Sequence, residues 1–252
     1  MKQPILRVAN WNVARPQSQP HRERLAEVIQ AISADIWILT ETHESLSPGP
    51  TFTCATTTVS DRVCKPGEAW VSIWTHFPTE QVFPTSDSAR TLAVRILPEQ
   101  TKPIIVYGTV LPWLGSPWRN IPSADGAAFA AALESQLSDW ISLQHEHPDC
   151  DFILAGDFNQ DLAQSHYYGS RKNRAALNLA LKSAKLHCLT AGELDPVLKH
   201  APTHASIDHI CVSSDLKSAA PPISWPALSK PQKNLSDHFG LLVSLNLTGI
   251  NQ

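Results

Sequence analysis

The sequence predicts a layered α/β fold, on three observations. The stretch Asp151 to Asp161, DFILAGDFNQD, opens with an unbroken apolar run of strand length, Phe152 to Ala155, as a strand covered on both faces requires. Apolar stripes at helical spacing, such as Leu25, Val28, Ile29 and Ile32, alternate with such runs. The middle of the chain carries consecutive strand-like runs with no helix between them, which argues for antiparallel pairing there. With 252 residues, 42% hydrophobic and 17% charged, and no low-complexity tract, the chain fits one ordered, soluble domain over 1–252. A net charge of −3 removes the usual footprint of a protein that grips long nucleic acid nonspecifically, while a local basic groove and short anionic substrates stay open.

In chain order, Ile5 to Val13 begins as a strand and ends in Asn10, Trp11 and Asn12. The stripe from Leu25 follows as a helix covering one sheet face, and Ile36 to Leu39 is a second strand, ending in Thr40, Glu41 and Thr42. Ser45 to Cys64 turns to Ser, Thr and Pro, a surface excursion with a short hairpin at most. Ala69 to Trp74 and Thr91 to Leu97 resemble paired strands, and Ile104 to Val110 is the next one. The loop Leu111 to Asn120 holds two Trp, two Pro and Arg119, which suits a substrate-contacting lip and aromatic anchoring equally. A second helix is marked by Ala130, Leu133, Leu137, Trp140 and Ile141, and a third by Leu177, Leu181 and Ala184. Strands at Ile207 to Val212 and Phe239 to Leu247 complete the set, separated by a Pro-rich long loop, Ala219 to Lys233. A pattern of strand, helix and strand leading to an acid recurs in the two halves.

The N-terminus, MKQPILRVANWNV, is too short in apolar residues for a signal peptide, and no apolar stretch approaches the roughly 20 residues that span a membrane. Five cysteines, an odd number without paired CxxC spacing, read as thiols in a reducing compartment, although Cys54 and Cys64 stand where a hairpin would let them meet. A cytoplasmic monomer is the expectation.

Polar residues gather at strand ends and adjoining loops: Asn12, Glu41, Asp157 with Asn159, Asp208, and Asp237 with His238. These types suit a hard divalent cation held by oxygen, magnesium foremost with manganese as a substitute. Such an ion polarises a phosphoryl oxygen, a carboxylate takes a proton from water, and an imidazole steadies the phosphoryl oxygens. Each residue also has a plain structural reading. Asn12 fits a turn and Glu41 a solvated loop. Asp208 is either the orphan of an edge strand or a buried acid needing a partner that His238 can supply.

The ordered set NWNV (Asn10 to Val13), LTET (Leu39 to Thr42), GDFN (Gly156 to Asn159), SIDHI (Ser206 to Ile210) and SDH (Ser236 to His238) resembles the endonuclease/exonuclease/phosphatase superfamily across nearly the whole chain. The resemblance implies a four-layer α/β/β/α sandwich, two mixed β-sheets packed face to face with helices outside. It also implies a magnesium-dependent phosphodiesterase, nuclease-like, cleaving a P–O bond by in-line attack of water. Phosphatase action on a small phosphorylated molecule of the inositol phosphate or lipid head group type, or a noncatalytic binding module, are the alternatives.

Position by position, Glu41 is similar to the principal metal ligand, with Asn12 and Asp237 completing or supporting the shell. Asp157 matches the residue that orients or deprotonates water, and Asn159 the amide that binds phosphoryl oxygens. His238 matches the histidine on the scissile phosphate and Asp208 the acid that orients it. The chain departs from the pattern after Val106-Tyr107-Gly108, where many relatives place a Tyr or His. It continues Thr109-Val110-Leu111, which leaves Arg119, His166, Tyr167 or Arg171 to replace that phosphate contact. The segment His166 to Arg174, with Arg171, Lys172 and Arg174 beside Tyr167 and Tyr168, reads either as a basic cap on the following helix or as a site for short or single-stranded nucleic acid or a small phosphodiester, in preference to long duplex.

Overall fold

The computed structural model describes residues 4–57, 64–163, 166–225 and 235–247. Twelve strands among them form two six-stranded sheets. In chain order the first sheet takes β1 (Ile5–Asn12), β2 (Ile36–His43), β3 (Thr53–Thr56), β4 (Glu68–Thr75), β11 (Lys217–Trp225) and β12 (Gly240–Asn246), arranged β11-β12-β1-β2-β4-β3. The second takes β5 (Thr79–Phe83), β6 (Thr91–Ile96), β7 (Ile104–Val110), β8 (Asp151–Asp157), β9 (Leu186–Cys188) and β10 (Asp208–Ser213), arranged β5-β6-β7-β8-β10-β9. Both are mixed. The parallel pair β1 and β2 is linked through α1 (Gln19–Ala31), and the parallel pair β7 and β8 through α2 (Ala127–Glu146). The recurring pattern of strand, helix and acid-bearing strand is these two units.

Three apolar clusters account for four layers. Val8, Ile38, Val71, Val94, Val106 and Ile153 belong to the core between the sheets. Leu25 and Ile29 of α1 bury against Trp11, Trp37 and Leu39 on the outer face of the first sheet. Phe129, Trp140 and Leu177, from α2 and α3 (Arg171–Ser183), cover Tyr107, Phe152 and Leu154 of the second. Each such side chain contributes about 1.5–3 kcal/mol by leaving water. Phe152 and Ile153 therefore point to opposite cores, and that is why β8 is apolar at every position from Phe152 to Ala155.

Several expectations are corrected. β4 and β6 are not partners: β4 pairs with β2 and β3, β6 with β5 and β7, and the two face each other across the inter-sheet core. β2 ends through Thr40, Glu41 and Thr42 as expected and runs one residue further, to His43, along β4. The buried stripe of α2 runs through Phe129, Leu133, Gln136 and Trp140, leaving Ala130 and Ile141 exposed. Ala219 to Trp225, expected as loop, belongs to an edge strand, Lys217–Trp225, on β12. Its Pro221 and Pro222 fall in the irregular register between Ala220 and Ile223, where a missing N–H costs no ladder bond. Residues 226–233 of that expected loop, and 58–63 of the Ser/Thr/Pro excursion, lie outside the described residues. The rest of the excursion supplies β3, hairpinned onto β4. All five cysteines are free.

Candidate active site

The ends of β1 and β8 and the start of β10 meet at one rim of the packed sheets. Asp157, last in β8, stands opposite Asp208, first in β10. The sheets are tied at this point by Asn10, whose Nδ2 donates to the Gly156 carbonyl at 3.2 Å. Gly156 has a φ of 150°, and a Cβ there would stand 1.9 Å from the Thr109 carbonyl oxygen, so only glycine lets β8 and β7 run this close.

Extension ends at Asp157, so Asn159 does not share its strand face. Instead Asn159 turns left-handed, with a φ of 49°. Its N–H donates to Asp157 Oδ1 at 2.9 Å, and its Nδ2 donates to Asp157 Oδ2 at 3.0 Å and to the Leu111 carbonyl at 2.9 Å. The carboxylate and amide still converge, through a turn that Asn tolerates better than most residues. Asn12 bridges the sheets: its Nδ2 donates to Asp157 Oδ2 at 3.0 Å and to Glu41 Oε1 at 3.4 Å. Its Oδ1 accepts the Ala14 N–H at 2.9 Å. The amino group of Asn12 therefore faces the carboxylates, whereas the sequence reading placed this residue in an oxygen shell.

His238 reaches the rim on the loop before β12. Ser236 Oγ donates to the Asn12 carbonyl at 2.6 Å and accepts the His238 N–H at 3.0 Å, and Trp11 Nε1 donates to the His238 carbonyl at 3.1 Å. The ring's Nδ1 lies 2.6 Å from Asp208 Oδ2. β10 sits between β8 and β9, which rules out the edge-strand reading of Asp208. Burial works against a charged ring, but the carboxylates of Asp208 and Asp157 hold His238 up to about 10. Complete burial, with Asp208 and Glu41 nearby, pushes Asp157 up to about 7 against the pull of His238. With Nδ1 committed to Asp208, the other ring nitrogen of His238 carries a proton for a neighbouring group.

Two clefts flank this centre, and Asn159 lines both. The larger, about 490 Å³, is walled by Tyr167, Tyr168, His204, Asp237, His238 and Phe239. The smaller, about 240 Å³, is walled by Arg15, Glu41, Trp70, Arg90 and Trp113. The aromatic wall of the larger cleft is fixed by the two residues that close the DFNQD stretch. Asp161, fully buried, accepts the N–H groups of Tyr167 at 3.2 Å and Tyr168 at 2.8 Å and pairs with Arg174 at 3.2 Å. Gln160 donates to the Tyr168 carbonyl at 2.9 Å and accepts the Ser170 N–H at 2.9 Å.

Of the expected substrate residues, Tyr167 lines the larger cleft and, with His166, a further opening of about 270 Å³ beyond it. Arg119 stacks over Trp118 at 4.2 Å and donates to the Ser86 carbonyl, and Arg171 opens α3, so neither lines the clefts. The anchoring reading of the Leu111 to Asn120 loop is realised at Trp118, buried and donating to Asp87 at 2.6 Å, while Trp113 is 53% exposed at the smaller cleft. Sequence reasoning missed Arg15, Trp70 and Arg90, which no motif marks, and Asp161, signalled only by the second acid of DFNQD.

The model of the Endonuclease/Exonuclease/phosphatase family matches residues 9–238. The chain belongs to that family. All three activities in its name hydrolyse phosphoesters, so membership supports a phosphoester hydrolase. The chain is similar in structure to a family protein from Bacteroides thetaiotaomicron (16% identity, 99% of this chain and 100% of that one, TM-score 0.67). It is also similar to the endonuclease domain of TRAS1, a telomere-specific non-LTR retrotransposon (16%, 97% and 99%, 0.66), and to the human Nocturnin catalytic domain with bound sulfate anion (16%, 98% and 96%, 0.66). These likenesses establish the fold, the DNase I-like α/β sandwich. No curated protein sequence matches.

The residues of this family member fit a divalent cation. Asp157, Asp208 and His238 offer ligand atoms within 4.8 Å of one another, and the buried Asp208 Oδ1 meets no hydrogen-bond donor among the described residues. A ring kept protonated by Asp208 repels a cation, so of the three groups the two carboxylates suit the ion better than His238. Asp237, exposed, lines the larger cleft. Among the described residues no helix is long and apolar enough to cross a membrane.

Proposed function

We propose that this chain is a magnesium-dependent phosphodiesterase that hydrolyses short or single-stranded nucleic acid. The observation that carries the reading is the Asp157, Asn159, Asp208 and His238 cluster, buried at the rim with an Asn12 and Glu41 pair beside it. Glu41, with Asp237 in support, would hold a magnesium ion, which would offset charge on the phosphoryl group and its leaving oxygen.

The chain's own residues do the rest. Asp157, held by three N–H donors from Asn12 and Asn159, orients the attacking water and takes its proton. Its elevated value, about 7, suits a base near neutrality. The free N–H of His238 donates to a phosphoryl oxygen, and Asp208 fixes which nitrogen does so. Asn159, between the two clefts, holds a second phosphoryl oxygen.

Tyr167 and His166 take the substrate's first flanking group, and Arg119 and Arg171, outside the clefts, take outer phosphates. A chain with 20 Lys and Arg against 23 Asp and Glu has few cations for a long duplex. The size of the larger cleft, about 490 Å³, suits a single small ligand equally, and this favours phosphatase action on a small phosphorylated molecule as the second reading.

The test is a panel of single-stranded and duplex DNA, RNA, sphingomyelin and inositol phosphates, each with magnesium and with excess chelator. Magnesium-dependent cleavage greatest on single strands is expected. Turnover undiminished by chelator would overturn the metal assignment, and turnover confined to phosphomonoesters would replace the leading reading with the second.

A further inference from the structure

Glu41, the principal metal ligand in the reading above, is already engaged at both oxygens. Its Oε1 receives the Asn12 amide at 3.4 Å, and its Oε2 lies 3.2 Å from Arg15 Nε. The contact with Arg15 is built into the backbone. The Arg15 N–H donates to the Glu41 carbonyl at 2.7 Å, and Ala14, Arg15 and Glu41 all hold positive φ, at 53°, 49° and 46°. Three non-glycine residues in that region, two of them consecutive, mark a place where the surrounding structure enforces a conformation the chain does not choose locally. The guanidinium also lies 4.0 Å over the ring of Trp70, a planar contact that Lys does not reproduce.

We infer that Arg15 is the resident counter-cation of Glu41, competing with the metal ion for it, and that metal binding releases the guanidinium, stacked on Trp70 at the wall of the 240 Å³ cleft, to meet an anionic group of the substrate there. The inference rests on Glu41 being a metal ligand. A divalent ion approaching Glu41 meets a full positive charge 3.2 Å from one of the oxygens it needs. The ion pair is partly solvated, its side chains 16% and 27% exposed, and such pairs are weak enough for a dication to break. The displaced group has somewhere to go. Arg15 and Arg90 both lie over the Trp70 ring, at 4.0 and 4.5 Å, and line one cleft with Trp113 and Asn159, so a small rotation that keeps Arg15 on Trp70 while freeing the carboxylate sets two cations toward an incoming anion. Before metal arrives, Arg15 offsets the negative charge gathered at Glu41, Asp157 and Asp208. Afterwards the same charge faces substrate, so metal and phosphate binding become mutually favourable.

The test is manganese binding to the full chain, by paramagnetic resonance and calorimetry, in wild type, Arg15→Gln, Arg15→Lys and Glu41→Gln. Removing the competing charge in Arg15→Gln should tighten the manganese Kd roughly tenfold, the order expected for one unit charge at a partly solvated site. Arg15→Lys, which keeps the charge, should bind like wild type, and Glu41→Gln should lose the site. Inorganic phosphate should bind wild type more tightly with magnesium than without, and this coupling should shrink in Arg15→Gln to the part that direct attraction between the ion and the phosphate supplies. Equal manganese affinity in wild type and Arg15→Gln would overturn the role of Arg15 while leaving the metal reading intact. Absence of manganese binding to wild type would overturn both. Should Arg15→Gln fail to fold, the Nε–H resonance of Arg15 in wild type decides the matter: a signal unmoved at saturating magnesium overturns the displacement.

Discussion

Asp208→Asn isolates the charge that holds His238 protonated. The side chain is nearly isosteric, and its carbonyl oxygen can still accept the Nδ1–H that Asp208 accepts at 2.6 Å. What disappears is the negative charge, the largest influence raising a ring that burial alone would lower. The rise from 6.5 to about 10 corresponds to roughly 5 kcal/mol of preference for the charged ring, shared among Asp208, Asp157 and Asp237. One carboxylate at this distance accounts for about 1–3 pH units, so His238 should titrate that much lower in the variant.

The sign for stability follows from a raised value. The contribution is fully present below the unfolded histidine's 6.5 and is lost as pH rises through about 10, so the stability gap between wild type and Asp208→Asn should be widest at about pH 6.5 and just below, narrow as pH rises, and close above pH 10. For catalysis the basic limb of kcat/KM should move down by the same interval. On a chromogenic phosphodiester at pH 8.5 the rate should fall on the order of a hundredfold. The His238 resonance in the metal-free protein, assigned by its absence from His238→Ala, gives the direct reading. A His238 that titrates at the same pH in both proteins would refute the account of what Asp208 does.

Two structural predictions accompany it. Gly156→Ala places a methyl 1.9 Å from the Thr109 carbonyl oxygen and should cost about 3 kcal/mol or more by denaturant unfolding, and a wild-type midpoint would contradict the close approach of β7 and β8. Asp161→Asn removes the buried charge that pairs with Arg174 and holds Tyr167 and Tyr168. It should cost about 3–5 kcal/mol and expose the amides of those two tyrosines to hydrogen exchange. Unchanged protection there would show that another contact fixes the cleft wall.

What the sequence made legible is what depends on near neighbours. Phe152 to Ala155 is apolar throughout because β8 separates two cores, and Leu25 and Ile29 show a stripe because α1 touches only one. Asn12, Asp157 and Asp208 are visible as polar residues at the edges of such runs. Pairing across the chain is another matter. β4 and β6 carry no local mark of lying in different sheets, and β11 is disguised by two prolines that only an irregular edge strand accepts.

The site shows the same division more sharply, because each half of the chain delivers part of it through its own strand, helix and strand unit: Glu41 on β2, Asp157 on β8. The identities of those residues are local, but their distance is set by the packing of one sheet on the other, pinned at Asn10 to Gly156 and at Asn12 to Asp157. The orientation of Asn12 depends in turn on left-handed Ala14, whose N–H holds the amide oxygen, and the partner of Glu41 depends on left-handed Arg15. Neither residue type favours that conformation, so no rule of composition signals it. The chemistry of this rim is therefore written in its residue types. The direction in which each donor and acceptor points comes from backbone turns that only the assembled sheets impose.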